Sequence, residues 1–392
     1  MNLVEREERL FFRTYKRLDL EIEKGEGCFL ISKDGNRYLD FFSGLAVNSL
    51  GHSHPKIIEA ITNQINRYIH LSNIFLQRPQ IELAELLLEI TGYSKVFFSN
   101  SGTEAMEGAI KLARKWGNSK NNKEIIYFSG AFHGRTMGAL SLTDREIFRS
   151  GYEPFLHDVI RGEYNNPTHL IENVNENTLA VVLEFIQGES GVRETSQLFV
   201  NTLESLRSKY NFLLIADEIQ SGLGRTGKFF AFNYHNIKPD IVVIAKPLGG
   251  GLPLGAILGS EKVSKVFTYG VHGTTFGGNP VACAAGLATI NEIVNQGIMK
   301  NAKEVGDYLK DKLIETKIKF PNIISDIRGK GLMIGIEINR DCEMIVADMI
   351  KQHVLINCTN NNVIRLLPPL IISSYEVDYL INSFENVLSK IT

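Results

Sequence analysis

Ile241-Val242-Val243-Ile244-Ala245-Lys246-Pro247-Leu248-Gly249-Gly250-Gly251 is the stretch that decides the fold class. Five apolar residues follow one another with no polar one between, so neither face of the segment is made for water. That is the pattern of a strand in a parallel sheet covered by helices on both sides. A lysine then ends the run. Its bland reading is a long side chain carrying its ammonium out to water. The alternative is a partly desolvated amine of lowered pKa, suited to Schiff-base chemistry with a carbonyl. The three glycines behind it let the backbone approach a bulky ligand.

Between residues 95 and 260 the same kind of run recurs as Val96-Phe97-Phe98, Ile125–Phe128, Leu179–Leu183 and Phe212–Ala216, with helical patterns in between. This rhythm predicts an α/β domain with a mainly parallel sheet. Such sheets bind ligands beyond the carboxyl ends of their strands, and here each run gives way to polar residues. Ser99-Asn100-Ser101-Gly102-Thr103-Glu104 precedes a helix with Met106, Ala109, Ile110 and Ala113 on one face. Ser101-x-x-Glu104 has capping-box spacing, and the segment is either a plain cap or an anion cradle at a helix N-terminus. Gly130-Ala131-Phe132-His133-Gly134-Arg135 offers an aromatic for stacking and a guanidinium for a carboxylate, or simply a turn around a buried ring. Glu184 and the loop Gln187-Gly188-Glu189-Ser190-Gly191 come after the third run, where a solvated loop is the plain alternative. Asp217 sits flush against the fourth run, where ionisation is costly unless a cation or donor meets it; capping the next turn is the other reading.

Taken together, five strand ends supply a phosphate cradle, a stacking ring, a buried carboxylate, an amine and a carboxylate-gripping arginine. Pyridoxal phosphate requires that inventory. Gly222-x-Gly224-x-x-Gly227 also matches a dinucleotide fingerprint, but Asp217 to Ser221 separate it from its strand and no clear helix follows. Read as a phosphate-binding loop, the same stretch puts Phe229 where Ser or Thr must hold magnesium. His52-x-His54 lacks further ligands at metal spacing, so no metal site is expected.

Composition sets outer bounds. The chain has 392 residues, 42 basic against 44 acidic, with 44% apolar and 22% charged residues. This argues against disordered, collagen-like and disulfide-stapled chains and gives no electrostatic reason to expect nucleic acid or an anionic membrane. No apolar run nears the ~18 residues of a spanning helix. The acidic start MNLVEREERLFF is unlike a signal or transit peptide. Cys28, Cys283, Cys342 and Cys358 are scattered, so free thiols in a reducing, cytoplasmic setting are expected. Residues 1–50 carry strand-like pieces (Cys28–Ile31, Arg37–Phe42), and amphipathic helices come next around Ile57–Ile69 and Ile81–Leu88. Charged helical patterns and short strands dominate after about residue 285. The expected organisation is an N-terminal segment 1–50 packing with a small α+β domain 286–392, and a large ligand-binding domain 51–285.

The ordered motifs LDFFSGLAVNSLGHSHP, HLSNIF, NSGTEA, AFHGRT, IQGES, ADEIQSGLGRTG, AKPLGGGLPLGA, HGTTFGGNP, IRGKGLMIG and VIRLLPPL span almost the whole chain. In these motifs the sequence resembles the class III pyridoxal-phosphate aminotransferases. The resemblance implies a fold-type-I homodimer with shared active sites. In it Lys246 would bind the cofactor covalently, Asp217 would pair with its ring nitrogen, Phe132 would stack on the ring and Gln220 would approach the phenolic oxygen. Ser101, Gly102 and Thr103 would hold the phosphate, joined by Thr275 from the partner subunit. Arg135 would bind a substrate carboxylate, and Glu189 would mask Arg365 for an ω-amino donor and release it for glutamate. The implied reaction moves the terminal amine of N2-acetylornithine to 2-oxoglutarate, with ornithine, succinylornithine or 4-aminobutyrate as alternative donors. A noncatalytic relative with the same fold would lack the lysine or the aspartate. Phe185 and Pro247 depart from the commoner proline and small residue of the family, and Met106 from asparagine. None removes a chemical group.

Overall fold

A computed structural model describes residues 3–118 and 123–391; the outermost ends of the expected terminal segments, residues 1–2 and 392, lie outside the described residues. A seven-stranded sheet organises the chain, in the spatial order Lys95–Ser99, Gly255–Gly259, Ile241–Ile244, Leu213–Asp217, Thr178–Leu183, Glu124–Phe128, Val159–Gly162. Only Gly255–Gly259 runs against the others. Six carboxyl ends therefore open on one edge. Alternate residues of these strands feed two different cores: Val181, Leu183, Leu214, Ala216, Val242 and Ile244 on one face, Ala180, Val182, Leu213, Ile215, Ile241 and Val243 on the other. The pleat sends successive side chains to opposite faces, and both faces are covered, so every second residue cannot be polar.

The expected strands are all present, with ends shifted by a residue or so. Gly255–Gly259 and Val159–Gly162 were not foreseen. The first lies directly beyond a glycine-rich loop and is itself bounded by glycines, which mask the apolar core Ala256-Ile257-Leu258. The helix expected to run to Ile69 stops at Ile65. Gly92 ends the next helix in the left-handed conformation, as its position suggests.

Outside the central sheet, Ile324–Lys330, Met333–Ile338, Val363–Leu366 and Asn357–Thr359 form a four-stranded antiparallel sheet. The early strand Arg37–Asp40 pairs in parallel with Val354–Leu355, and Cys28, Leu39 and Phe41 share a core with the C-terminal helices. The helix Pro280–Asn295, capped by the Asn279 side chain, runs through residue 285 without a break and packs on Pro55–Ile65 and Arg78–Thr91. Among the described residues no helix is long and apolar enough to cross a membrane.

One expectation is overturned. Cys342 and Cys358 are joined in a disulfide, while Cys28 and Cys283 remain free and buried. A separation of 16 residues gave no spacing signal; the two thiols meet because the loop before the helix Glu343–Lys351 passes the strand Asn357–Thr359.

The glycine run from Gly222 to Gly227 is not a nucleotide loop. Gly224 and Gly227 take φ of +91° and +90° in a series of turns, and the turns bury Arg225. Its guanidinium donates to the carbonyls of Leu332 and Pro368 and to Ser49 Oγ, clasping three distant segments. Burial pushes its pKa down to about 9.

Candidate active site

A cavity of about 410 Å³ opens at the carboxyl edge of the sheet, lined by side chains from each of the expected strand ends. Lys246 stands on its wall, directly after the strand Ile241–Ile244, with a φ of +47°. That conformation costs an L-residue roughly 1–2 kcal/mol and occurs where surrounding structure enforces it. The amine is largely buried and has no hydrogen-bond partner among the described residues. Burial, with Arg365 adding to it, pushes the Lys246 pKa down to about 8. The desolvated-amine reading of this lysine is therefore the one the geometry supports.

Asp217 ends its strand almost fully buried. One carboxylate oxygen accepts from the Ile219 N–H at 3.1 Å, and the other lies 2.7 Å from His133 Nδ1. Burial alone would lower the His133 pKa, but the hydrogen bond and charge of Asp217 outweigh it and raise it. His133 Nε2 is buried with no partner. Sequence reasoning noted His133 but gave it no role; a histidine between glycines carries no sign that it will meet a carboxylate 84 residues on. Glu184, at the end of its strand, likewise carries no role in the sequence. Its carboxylate is buried, accepting from the N–H groups of Phe132 at 3.0 Å and Gly188 at 3.3 Å. Burial raises its pKa, opposed by His133 and backed by Asp217.

Ser101 caps the helix Gly102–Gly117, its hydroxyl accepting from the Glu104 N–H at 3.3 Å. The reciprocal half of a capping box is displaced: Glu104 accepts from the N–H of Asn100, one residue earlier. Ser101, Gly102 and Thr103 all line the cavity, so the helix N-terminus, with its unsatisfied N–H groups, faces it. Phe132 and Arg135 line it too, and the Arg135 guanidinium lies over the Phe148 ring.

Glu189 and Gln220 complete the same wall. Glu189 is ion-paired with Arg365 at 2.6 Å, and the Arg365 guanidinium also donates to Gln220 at 3.2 Å and to Asn357 Oδ1 at 2.8 and 3.2 Å. Burial works against the charge on Glu189, but Arg365 holds its pKa below the usual range. Arg365 itself lines a neighbouring cavity, which Glu189 separates from the first. Thr275 is not brought to the site within one chain: it is exposed, in the loop before Gly277. The departures from the family pattern are accommodated. Phe185 is buried against Phe232 and His235, and Pro247 occupies the first turn of Lys246–Gly249, where its ring suits the backbone.

An unpartnered amine, a buried carboxylate across the cavity and a helix N-terminus with hydroxyls match the three poles of pyridoxal phosphate: aldehyde, ring nitrogen and phosphate. The donor set fits that cofactor.

The family model for class III aminotransferases matches residues 11–388. Acetylornithine aminotransferase of Archaeoglobus fulgidus is 44% identical over 378 residues, 96% of this chain and 98% of the relative. Among solved structures, acetylornithine aminotransferase of Elizabethkingia anophelis superposes with a TM-score of 0.89 at 33% identity, covering 99% of this chain and 98% of that one. Ornithine aminotransferase of Toxoplasma gondii, described with partial occupancy of pyridoxal phosphate at its active site, superposes with a TM-score of 0.95 at 29% identity, covering 99% and 94%.

Proposed function

This chain belongs to the class III aminotransferases, and we propose that it is a pyridoxal-phosphate enzyme transferring the terminal amino group of N2-acetylornithine to 2-oxoglutarate, in arginine biosynthesis and in the cytoplasm. The observation that carries the reading is the Lys246 amine, depressed and unpartnered, facing a buried Asp217 across one cavity, beside an ion-paired Glu189–Arg365. The donor assignment is supported by the likeness to acetylornithine aminotransferases along nearly the full chain.

Bound pyridoxal phosphate supplies an electron sink for the negative charge that develops at the donor carbon. The protein does the rest. Lys246 would hold the cofactor at its aldehyde and, as a positioned acid/base, would take up and return the proton of the substrate carbon. Asp217, hydrogen-bonded to His133 and to the Ile219 N–H, would hold a proton on the ring nitrogen. Ser101, Gly102 and Thr103 would bind the phosphate, Phe132 would pack on the ring and Gln220 would meet the phenolic oxygen, all of them lining the one cavity. Arg135 grips the substrate carboxylate. Glu189 would cover Arg365 while the donor's terminal carbon, which bears no carboxylate, occupies the site, and would uncover it for the second carboxylate of 2-oxoglutarate.

The reading includes a homodimer in which Thr275 of each protomer joins the other's phosphate site. It is supported by exposed apolar side chains, Ile74 83% and Leu76 91% exposed in one segment and Phe276 exposed next to Thr275 in sequence. Asn73, in the same segment as Ile74 and Leu76, is hydrogen-bonded to the carbonyls of Thr274 and Gly277, which holds that segment against the loop carrying Thr275.

The test is a panel of donors with 2-oxoglutarate, monitored by glutamate formation. N2-acetylornithine should show the highest kcat/KM; a preference for ornithine or 4-aminobutyrate would overturn the donor assignment. Arg365→Ala should cut the 2-oxoglutarate half-reaction by about 10²-fold, the worth of a buried charge-assisted pair, and the donor half-reaction far less. Equal losses would remove the switch. Uptake of pyridoxal phosphate by the cofactor-free protein needs a neutral Lys246 amine. Its rate should therefore rise with pH through about 8 and then level; a rise continuing toward the ordinary lysine value of about 10.4 would mean the amine is not depressed.

A further inference from the structure

A carboxylate that leaves Arg365 needs another partner, because a buried unpaired charge is strongly disfavoured. The Glu189 side chain is only 20% exposed. Its main chain is pinned: the Glu189 carbonyl accepts from Thr359 Oγ1 at 2.7 Å and from Arg145 Nη2. Uncovering Arg365 is therefore a rotation of the side chain about a fixed backbone. The guanidinium left behind is also fixed, since Asn357 Oδ1 holds its Nε and Nη2 edge.

Besides Arg365, Lys246 and Arg145 act on the Glu189 charge; Lys246 is given to the cofactor on the reading above, which leaves Arg145. Arg145 uses Nη2 for the Glu189 carbonyl and Thr359 Oγ1, while among the described residues its Nε and Nη1 have no hydrogen-bond partner. It lines the second cavity, about 300 Å³, together with Glu189, Asn357, Thr359 and Arg365. Asp341 and Glu343 line the same cavity and repel a carboxylate that would travel further in. Burial disfavours the Arg145 charge, Glu189 favours it, and Arg365 and Arg135 oppose it, so a carboxylate moving toward Arg145 steadies that charge while the incoming acid takes over Arg365.

We infer that Arg145 is the positioning residue that receives the Glu189 carboxylate when a dicarboxylate takes Arg365, so that the acceptor half-reaction depends on it and the donor half-reaction does not. This rests on the reading of Glu189 and Arg365 as a switch. The chain then has two cations for one mobile carboxylate, and the incoming acid competes with a swap of partners rather than with loss of one.

The experiment compares Arg145→Gln, Arg145→Lys, Glu189→Gln and the double variant Arg145→Gln/Glu189→Gln as holoenzymes. It measures single-turnover rates of both half-reactions and the affinity for glutarate, a dicarboxylate that cannot react, by calorimetry. Arg145→Gln should weaken glutarate and lower kcat/KM for 2-oxoglutarate by about tenfold, with the donor half-reaction within about twofold. Arg145→Lys should recover part of the loss. With Glu189→Gln in place there is no charge to receive, so Arg145→Gln should add nothing beyond about twofold. Equal losses in both half-reactions, or an undiminished loss in the Glu189→Gln background, would overturn the inference and leave Arg145 as a loop brace. Should the wild type prefer another donor while glutarate binding still depends on Arg145 in this way, the donor assignment fails and the role of Arg145 stands.

Discussion

Lys246→Ala loses turnover by about 10⁴-fold, the upper range for removing a positioned acid/base, and binds pyridoxal phosphate without covalent attachment. The size of the loss reflects how alone this amine is. Among the described residues no other lysine lines the cavity, and a guanidinium is no substitute for an amine that must take up and release a proton. The protein should still fold, because Lys246 makes no hydrogen bond that the truncation would orphan, and its strained φ of +47° belongs to a backbone set by the strand before it and the turn after it. Two measurements separate chemistry from collapse: a thermal midpoint close to wild type, and partial rescue of turnover by a small primary amine that fits the space left by the butylamine stem. Retention of turnover within about tenfold of wild type would sink the assignment of Lys246.

The architecture was legible because burial on both faces leaves a blunt record. Leu179–Leu183 is buried at every position, and an unbroken apolar run is how a sequence writes that. The site was legible for a related reason. Residues that interrupt such runs at their ends, Asp217 and Lys246 above all, have no structural reason to be there, and chance does not put several of them on one sheet edge. Phe132, Gln220 and the cradle at Ser101 were assigned by likeness to a family, and the cavity gathers them.

What the sequence did not show is whatever depends on a meeting across chain distance. Glu184 looks like any loop glutamate until Phe132 and Gly188 turn their N–H groups toward it. His133 becomes part of the site only through Asp217. Asn357 and Thr359, on a three-residue edge strand, reach Arg365 and the Glu189 carbonyl, and no periodicity marks so short an element. The Cys342–Cys358 bridge was missed for the same reason: composition speaks of compartments, whereas pairing is decided by which loops pass one another. Thr275 differs again: it is exposed in this chain, and the role proposed for it requires a second protomer.

Asp217→Asn should lower kcat by about 10³-fold, the scale of losing one preorganised charge at a reacting centre, while pyridoxal phosphate still attaches to Lys246. The exchange is nearly isosteric, so the Ile219 N–H keeps an acceptor and the fold is spared. What disappears is, among the described residues, the only carboxylate that both lines the cavity and is hydrogen-bonded to His133. His133 is affected in turn. Burial favours its neutral form and Asp217 alone holds it by a side-chain hydrogen bond, so its pKa should fall in the variant, and the ring would no longer support a positive charge nearby. Glu184 cannot substitute, because its oxygens are committed to Phe132 and Gly188 and burial already resists its ionisation. The cofactor's ring nitrogen then loses its proton and with it the capacity to draw charge from the substrate carbon. A cofactor analogue methylated on that nitrogen carries a fixed positive charge and should restore much of the lost rate in Asp217→Asn, while adding nothing to Lys246→Ala. Equal kcat for Asp217→Asn and wild type, or no response to the methylated analogue, would show that the carboxylate anchors His133 and does no more.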